Sequence, residues 1–99
     1  AHRERAFGTN VGVDGRLDLH GHTQDEAFGA LARFLESMQG ATQRTLLVIT
    51  GKSGVLRQQV PRWLNGAPNR ARVLSFTPAR PADGGDGALY VLLRKVKAS

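Results

Sequence analysis

Four consecutive apolar residues, Leu46-Leu47-Val48-Ile49, stand near the middle of the 99-residue chain and limit its fold more than any other segment. A strand that is covered on one face alternates apolar and polar side chains, whereas this run is apolar at every position. Such a run indicates a strand that is buried on both faces. The segment therefore predicts a layered domain with this strand inside its sheet.

Segments with strand and helix patterns alternate around this central strand. Leu17-Asp18-Leu19 predicts a short strand, and Thr23 to Gln39 predicts a helix that opens on a Thr-x-x-Glu capping box. Its apolar residues, Phe28 and Met38 among them, share one face at helical spacing and are expected in the core.

The rest of the chain continues the alternation. Val55 to Leu64 predicts a second helix, and Val73 to Thr77 and Ala88 to Arg94 predict the last two strands, joined by the loop from Pro78 to Gly87. The order β-α-β-α-β-β favours parallel strands joined by right-handed crossovers, with the last two strands as an antiparallel hairpin at one end of the sheet. The predicted fold class is α/β, a two-layer sandwich of a mixed four-stranded sheet and two helices.

Charge is distributed unevenly along the chain, whose formal net charge is +6. Between Ser37 and Ala82 there is no acidic residue. Seven basic residues lie in this acid-free segment: Arg44, Lys52, Arg57, Arg62, Arg70, Arg72 and Arg80. A segment of this kind concentrates polyanions near the protein, so nucleic acid is the predicted partner. The alternative is a solvated basic face without a partner.

Composition excludes several classes of protein. The chain has no Cys, which excludes disulfides, thiolate catalysis and Cys-ligated zinc. No apolar run approaches the ~20 residues of a membrane span, and the N-terminus has no apolar signal region, so a cytoplasmic protein without membrane contact is expected. We expect a flexible N-terminal tail at residues 1–16, a globular domain at 17–95 and a short C-terminal tail at 96–99.

Three loops follow the carboxyl ends of predicted parallel strands, which is where open α/β sheets bind ligands. They are His20 to Thr23, Thr50 to Gly54 and Pro78 to Gly87. If the three strands are parallel, four residues meet at one edge of the sheet: Asp18, His20, Lys52 and Arg80.

Two of these loops carry candidate chemistry. Asp18 and His20, a carboxylate and an imidazole two residues apart, could act as base, acid or metal ligands, or Asp18 could accept loop amides while His20 caps the turn. His22 is expected to face water. Gly51-Lys52-Ser53-Gly54 is similar to a phosphate-binding turn before a helix, although it lacks the Walker spacing, and a plain strand-to-helix turn is the alternative.

The motifs taken together resemble the Smr, or small MutS-related, family. Leu17-Asp18-Leu19-His20-Gly21-His22-Thr23 matches the opening signature Leu-Asp-Leu-His-Gly-x-Thr, and Gly84-Gly85-Asp86-Gly87-Ala88-Leu89-Tyr90-Val91 looks like the closing segment. The likeness extends over about residues 17 to 95. It departs at the second motif, usually His-Gly-x-Gly, where Thr50 replaces the His and Ser53 stands in place of the second Gly.

The resemblance implies a fold like the C-terminal domain of bacterial translation initiation factor three, with binding of DNA or RNA and nicking activity. It implies catalytic roles for Asp18 and His20. Together with the charge pattern it assigns six residues to nucleic-acid binding: Thr50, Gly51, Lys52, Gly54, Arg57 and Arg80. Because Thr50 removes one imidazole, binding is more firmly expected than cleavage.

The function predicted from the sequence is that of a nicking endonuclease, with DNA preferred over RNA as the partner. A divalent cation such as magnesium or manganese could be held by Asp18, although no residues are assigned as a metal site. The alternatives are a non-catalytic DNA- or RNA-binding module, an RNA endonuclease in which His20 is the base, and an interaction domain whose basic face meets an acidic protein.

Overall fold

The computed structural model describes residues 12–96. The main elements are β1 (Gly15–Asp18), α1 (Gln24–Met38), β2 (Thr45–Ile49), α2 (Val55–Asn65), β3 (Val73–Pro78) and β4 (Ala88–Leu93), with single-turn 3₁₀ helices at Asn69–Ala71, Pro81–Asp83 and Gly85–Gly87. The predicted order β-α-β-α-β-β and the mixed four-stranded sheet with two helices are confirmed. Among the described residues, no helix has the length and apolar content that a membrane span requires.

The sheet has the strand order β1-β2-β4-β3. β1 and β2 are parallel, and β4 is antiparallel to both β2 and β3, so the first three strands point the same way, as predicted. The predicted antiparallel hairpin of β3 and β4 at one end of the sheet is confirmed, and within this hairpin β4, not β3, is the strand that pairs with β2. The reason is burial: five of the six residues of β4 are buried, and an interior position covers such a strand on both faces.

Both faces of the sheet carry apolar side chains. On the face under α1 and α2, Leu46 and Val48 of β2 join the main core, while Leu47 lies on the opposite face with Tyr90 and Ala88. All three β2 residues are almost fully buried, which confirms the prediction from the apolar run. The two helices cover one face, and the loop after β3 contributes Ala79 to the other.

The two helices begin differently. At α1 the capping box is confirmed: the Glu26 amide donates to the Thr23 hydroxyl (3.2 Å), and the Thr23 amide donates to the Glu26 carboxylate (2.9 Å). These bonds lower the pKa of Glu26, since they favour its charged form. The N-cap of α2 is Gly54, which has no side chain to accept the first-turn amides. The positive end of α2 is thus left open toward any ligand.

The N-terminal boundary lies earlier than predicted. β1 begins at Gly15, and before it the Asp14 amide donates to the Thr45 carbonyl (2.7 Å) while the Thr45 amide donates to the Asp14 carboxylate (2.9 Å). Gly15 and Arg16 therefore belong to the sheet and not to a tail; neither is apolar, so the pattern missed them. At the other end, the Val96 amide donates to Gly40. The predicted tails at residues 1–11 and 97–99 lie outside the described residues.

Phe28 is only partly buried, although helical spacing placed it in the core. It is 37% exposed and meets the ring of Trp63 edge to face, with centroids 5.3 Å apart. The fully buried positions of this part of α1 are Ala27 and Leu31. Phe28 lies about 100° around the helix from Ala27, at the margin of the buried face.

Candidate nucleic-acid interface

A cleft of about 480 Å³ lies at the carboxyl ends of β1 and β2. One wall is the turn from His20 to Thr23 with the start of α1, and the other is the segment from Thr50 to Gly54 with Val55 and Leu56 of α2. The first two of the three predicted loops therefore come together. The cleft joins a histidine-bearing turn to a glycine turn and the open N-terminus of a helix.

Asp18 shapes the turn that carries His20. The His20 amide donates to the Asp18 carboxylate at 3.0 Å, an Asx-turn, in which a side chain accepts from the amide two residues later. The His20 Nδ1 atom lies 3.8 Å from the same oxygen, which is too long for a hydrogen bond. His20 lines the cleft with its side chain 75% exposed, whereas Asp18 is not among the lining residues. By this geometry Asp18 positions the turn that carries His20.

His22 is exposed, as predicted, and it also lines the cleft beside His20. Its Nδ1 atom lies 3.1 Å from the Leu19 carbonyl oxygen. A carbonyl only accepts, so Nδ1 carries the hydrogen and Nε2 is the acceptor atom of the neutral ring. The family signature leaves this position variable, so no sequence pattern pointed to it.

Backbone hydrogen bonds to Gly87 hold the glycine turn, residues 51–54, in place. The amides of Thr50 and Gly51 donate to the Gly87 carbonyl at 2.8 and 3.0 Å. The Thr50 hydroxyl lies 3.3 Å from this carbonyl and 3.0 Å from that of Gly51. Thr50 is 5% exposed. Its hydroxyl is therefore directed at carbonyls of the protein, so Thr50 serves the turn more than it serves a ligand.

The shape of the turn depends on two glycines. Gly51 and Gly54 have φ angles of 90° and 94°, a left-handed region that other residues rarely adopt. Lys52 and Ser53, between them, are exposed, and both line the cleft. Backbone amides, a lysine and the partial positive charge of α2 converge here, as in known phosphate-binding turns.

The two predicted arginines are placed differently. Arg57 lies near the cleft, where its Nε donates to the Asp86 carbonyl (3.3 Å) and a terminal nitrogen lies 4.0 Å from the Asp86 carboxylate. Arg80 does not line the cleft, so its predicted place beside His20 and Lys52 is wrong. The reason is topological: the third loop meets the second through Asp86 and Gly87, at its end before β4, whereas Arg80 lies at its start beside β3, which β4 separates from β2.

Arg80 takes part instead in a network with Tyr90 and Asp83. Its Nε donates to the Tyr90 hydroxyl (3.1 Å), a terminal nitrogen donates to Asp83 (3.4 Å), and the Tyr90 hydroxyl donates to the same carboxylate. The bond from Tyr90, and after it the contact with Arg80, lowers the pKa of Asp83, while the tyrosine also raises the pKa of Arg80. The network fixes the third loop over the sheet face that the helices leave uncovered.

The donor atoms near the cleft do not form a protein-made cation site. Among residues 12–96, no group of three or more His, Cys, Asp or Glu side chains could hold a metal ion. Asp18, the carboxylate beside the cleft, already accepts the His20 amide. The described residues therefore do not fit a resident magnesium or manganese ion.

The fold and the cleft define a small α/β domain with a glycine turn and an uncapped helix N-terminus at the carboxyl ends of its first two strands. The family model for the Smr domain matches residues 17–94. The chain belongs to the Smr family.

Similar proteins agree with this assignment. Ribosome rescue factor SmrB of Tolumonas auensis is 36% identical over 83 residues, which are 83% of this chain and 46% of the relative. The SmrB of Shewanella sp. (strain W3-18-1) is 41% identical over 78 residues, which are 78% of this chain and 43% of the relative. The chain thus spans less than half the length of these curated relatives.

Two solved structures share the fold. The Smr domain of Thermus thermophilus MutS2 is 34% identical, with a TM-score of 0.66 over 81% of this chain and 98% of that domain. YdaL, a stand-alone small MutS-related protein from Escherichia coli, is 26% identical, with a TM-score of 0.58 over 81% of this chain and 64% of its own.

Proposed function

We propose that this Smr domain binds RNA at the cleft and cleaves its phosphodiester backbone. One observation carries the proposal: the cleft joins the exposed imidazole of His20 to a glycine turn, Lys52 and the open N-terminus of α2. A phosphate bound by the turn would place its ester bonds within reach of an acid-base group. The arrangement supplies both parts that cleavage of an RNA strand needs.

The second wall of the cleft, formed by Thr50 to Gly54 and the start of α2, would bind the phosphate. The first amides of α2 have no side-chain cap, and the helix adds about half a positive charge at this end. Lys52 adds a full charge, and Arg57 lies in the first turn of the helix. These groups would stabilise the negative charge that develops on the phosphoryl oxygens during the reaction.

The chemistry falls to His20. Its imidazole would take the proton from the ribose 2′-hydroxyl, and the 2′-oxygen would attack the phosphorus. The bond from phosphorus to the 5′-oxygen breaks, and the leaving oxygen takes a proton from solvent. The products are a 2′,3′-cyclic phosphate and a 5′-hydroxyl. Asp18 would act through the backbone, holding the turn so that the imidazole meets the substrate.

RNA replaces the DNA that the sequence pattern favoured. RNA carries its own nucleophile, so cleavage needs a base and a phosphate-binding wall, which are the two things this cleft offers. The names of the SmrB relatives refer to ribosome rescue, and ribosomes work on RNA. Ribosomal or messenger RNA is accordingly the proposed substrate class.

A second candidate is a binding module without catalysis. It is favoured by Thr50, which stands where the family usually has a histidine and whose hydroxyl is directed at protein carbonyls. In that case the same cleft would hold a phosphate and release it unchanged.

The test that separates the candidates uses end-labelled RNA and the same sequence with 2′-O-methyl groups. We expect the unmodified strand to be cut to a 2′,3′-cyclic phosphate, in EDTA as well, and the methylated strand to bind and stay intact. Cutting of the methylated strand, or nicking of supercoiled DNA at an equal rate, would contradict the proposed mechanism. Tight binding with no product would favour the second candidate.

Binding should depend on Lys52. Replacing it by alanine is expected to flatten the slope of log affinity against log salt by about 0.7 on single-stranded RNA, the value for one lost phosphate contact. Arg33→Ala, which removes an exposed arginine from the outer side of α1, is the matched control and should leave the slope within error. Arg80, held by Tyr90 and Asp83, is not expected to contribute. Equal slopes for the Lys52 variant and the parent would show that the phosphate lies elsewhere.

A further inference from the structure

The basic residues of the acid-free segment are divided between the two ends of the sheet, one at the carboxyl ends of β1 and β2 and the other at the opposite end of these strands. Lys52 and Arg57 lie at the cleft. Three others lie at the opposite end: Arg44 before β2, and Arg70 and Arg72 before β3. Arg94, which follows β4 and is outside the acid-free segment, lies at the same end. The proposed cleavage site uses none of this second group.

Two members of the second group already have partners in the protein. Arg44 donates to the Met38 carbonyl (2.9 Å), and Arg72 lies 3.7 Å from the Glu36 carboxylate. Arg70 and Arg94 are exposed, and within residues 12–96 neither guanidinium takes part in an ion pair or hydrogen bond. Their charge is available to a ligand.

Arg70 and Arg94 line a groove of about 460 Å³ between the end of α2 and the edge strand β3. Its other walls include Leu64, Asn65, Leu74 and Phe76. Leu74 is 41% exposed although it is a large apolar residue. The groove thus combines two free cations with apolar surface, the combination that suits a nucleotide, whose phosphate is anionic and whose base is flat and apolar on its faces.

We infer that this groove is a second nucleic-acid site, which holds single-stranded RNA on the far side of α2 from the cleavage cleft. Arg70 and Arg94 bind phosphates, and Leu74 with Phe76 contacts a base. The inference rests on nucleic-acid binding by the domain and is independent of whether the cleft cleaves.

The main competing occupant is an extended peptide that would add a strand to β3. Strand addition needs a regular row of backbone groups on an edge strand. The register of β3 is interrupted by an irregularity between Val73 and Ser75, a device that blocks edge-to-edge pairing. A flexible polyanion does not need that row, so the edge geometry favours RNA over a peptide strand.

One helix connects the two sites. α2 begins with Val55, which lines the cleft, and ends with Asn65, which lines the groove. Eleven residues span about 16 Å. Stacked nucleotides advance about 3.4 Å each, so about five are needed to pass from one site to the other. A strand much shorter than this can occupy one site only.

The test compares 2′-O-methyl RNA of about two and about 15 nucleotides, because the methyl group prevents cleavage and a strand of two cannot reach both sites. For the long strand we expect Arg70→Ala and Arg94→Ala each to weaken binding about three- to tenfold and to flatten the salt slope by about 0.7. We expect the short strand to occupy the cleft, where Lys52 adds its charge to the open N-terminus of α2, so the effect of the two variants on it should match that of Arg33→Ala. Lys52→Ala should weaken both strands. Affinities come from anisotropy for the long strand and amide chemical-shift titration for the short one.

Each outcome has a defined meaning. The second site is overturned if Arg70→Ala and Arg94→Ala bind the long strand as Arg33→Ala does, or if they weaken the short strand equally. It is also overturned if a polyglutamate of matched charge displaces the long strand at equal concentration. Length-dependent weakening with no cleavage of unmodified RNA would sink the proposed catalysis and leave the second site standing. A parent that binds neither strand contradicts both proposals.

Discussion

His20→Ala should lower the rate of RNA cleavage by about 100-fold or more, while the affinity for RNA and the melting temperature stay close to those of the parent. The size of the loss is that of a positioned acid or base. The side chain is 75% exposed, so its removal leaves no cavity in the core. Single-turnover cleavage and thermal melting measure the two parts of the prediction.

Asp18 should show a graded effect that reveals how it acts. An asparagine oxygen can also accept the His20 amide and keep the Asx-turn, whereas alanine cannot. If Asp18 only positions the turn, Asp18→Asn retains most of the cleavage rate and Asp18→Ala loses most of it. Equal losses in the two variants would show that the negative charge itself takes part in the reaction.

His22→Ala is the matched control, because it removes a second imidazole from the same cleft. Its Nδ1 is bound to the Leu19 carbonyl, so we expect a loss of only a few-fold from a loosened turn. A loss as large as that of His20→Ala would contradict the assignment of a single acid-base group. Full cleavage by His20→Ala would place the chemistry elsewhere or reveal a contaminating nuclease.

Gly87→Ala should destabilise the domain by about 2 kcal/mol and weaken RNA binding by about tenfold or more. A Cβ at this position would stand 3.0 Å from the Gly51 carbonyl carbon and 3.1 Å from the Lys52 nitrogen, and these backbone atoms cannot swing away. The glycine turn would have to shift from its anchor on the Gly87 carbonyl. A tenfold loss of affinity corresponds to about 1.4 kcal/mol.

Urea unfolding and RNA titration test the two halves of this expectation. Gly12→Ala is the control, since a Cβ there meets no atom within 4 Å. It should unfold and bind like the parent. If Gly87→Ala also does so, the turn is more pliable than its hydrogen bonds to Gly87 indicate, and Gly87 is no anchor.

Much of the fold could be predicted from local pattern. The continuous apolar run of β2 and the reciprocal bonds of Thr23 and Glu26 depend on neighbours in sequence, and both are confirmed. The start of β1 could not be predicted in this way. Gly15 and Arg16 are in the strand because they pair with β2, and they have no apolar pattern of their own.

The candidate site was predictable in the part that adjacent parallel strands determine. Because β1 and β2 are neighbours, the loops after them meet, and His20 and Lys52 line one cleft. The catalytic role of His20 and the binding role of Lys52 stay predictions. The anchoring of Thr50 by Gly87 could not be predicted, since it joins residues 37 positions apart in the chain.

By itself, then, the sequence determined the helices and strands and the capping box of α1, because these depend on short-range chemistry. It also determined that the histidine turn and the glycine turn lie together, because β1 and β2 are parallel neighbours. Only the tertiary structure decided where β4 lies. Its burial on both faces inserts it between β2 and β3, which carries Arg80 away from the cleft to Tyr90 and Asp83. The same insertion makes β3 an edge strand, and it leaves Arg70 and Arg94 beside the second groove. Competition among strands for the most buried place in a sheet is a property of the whole chain, and no single segment encodes it.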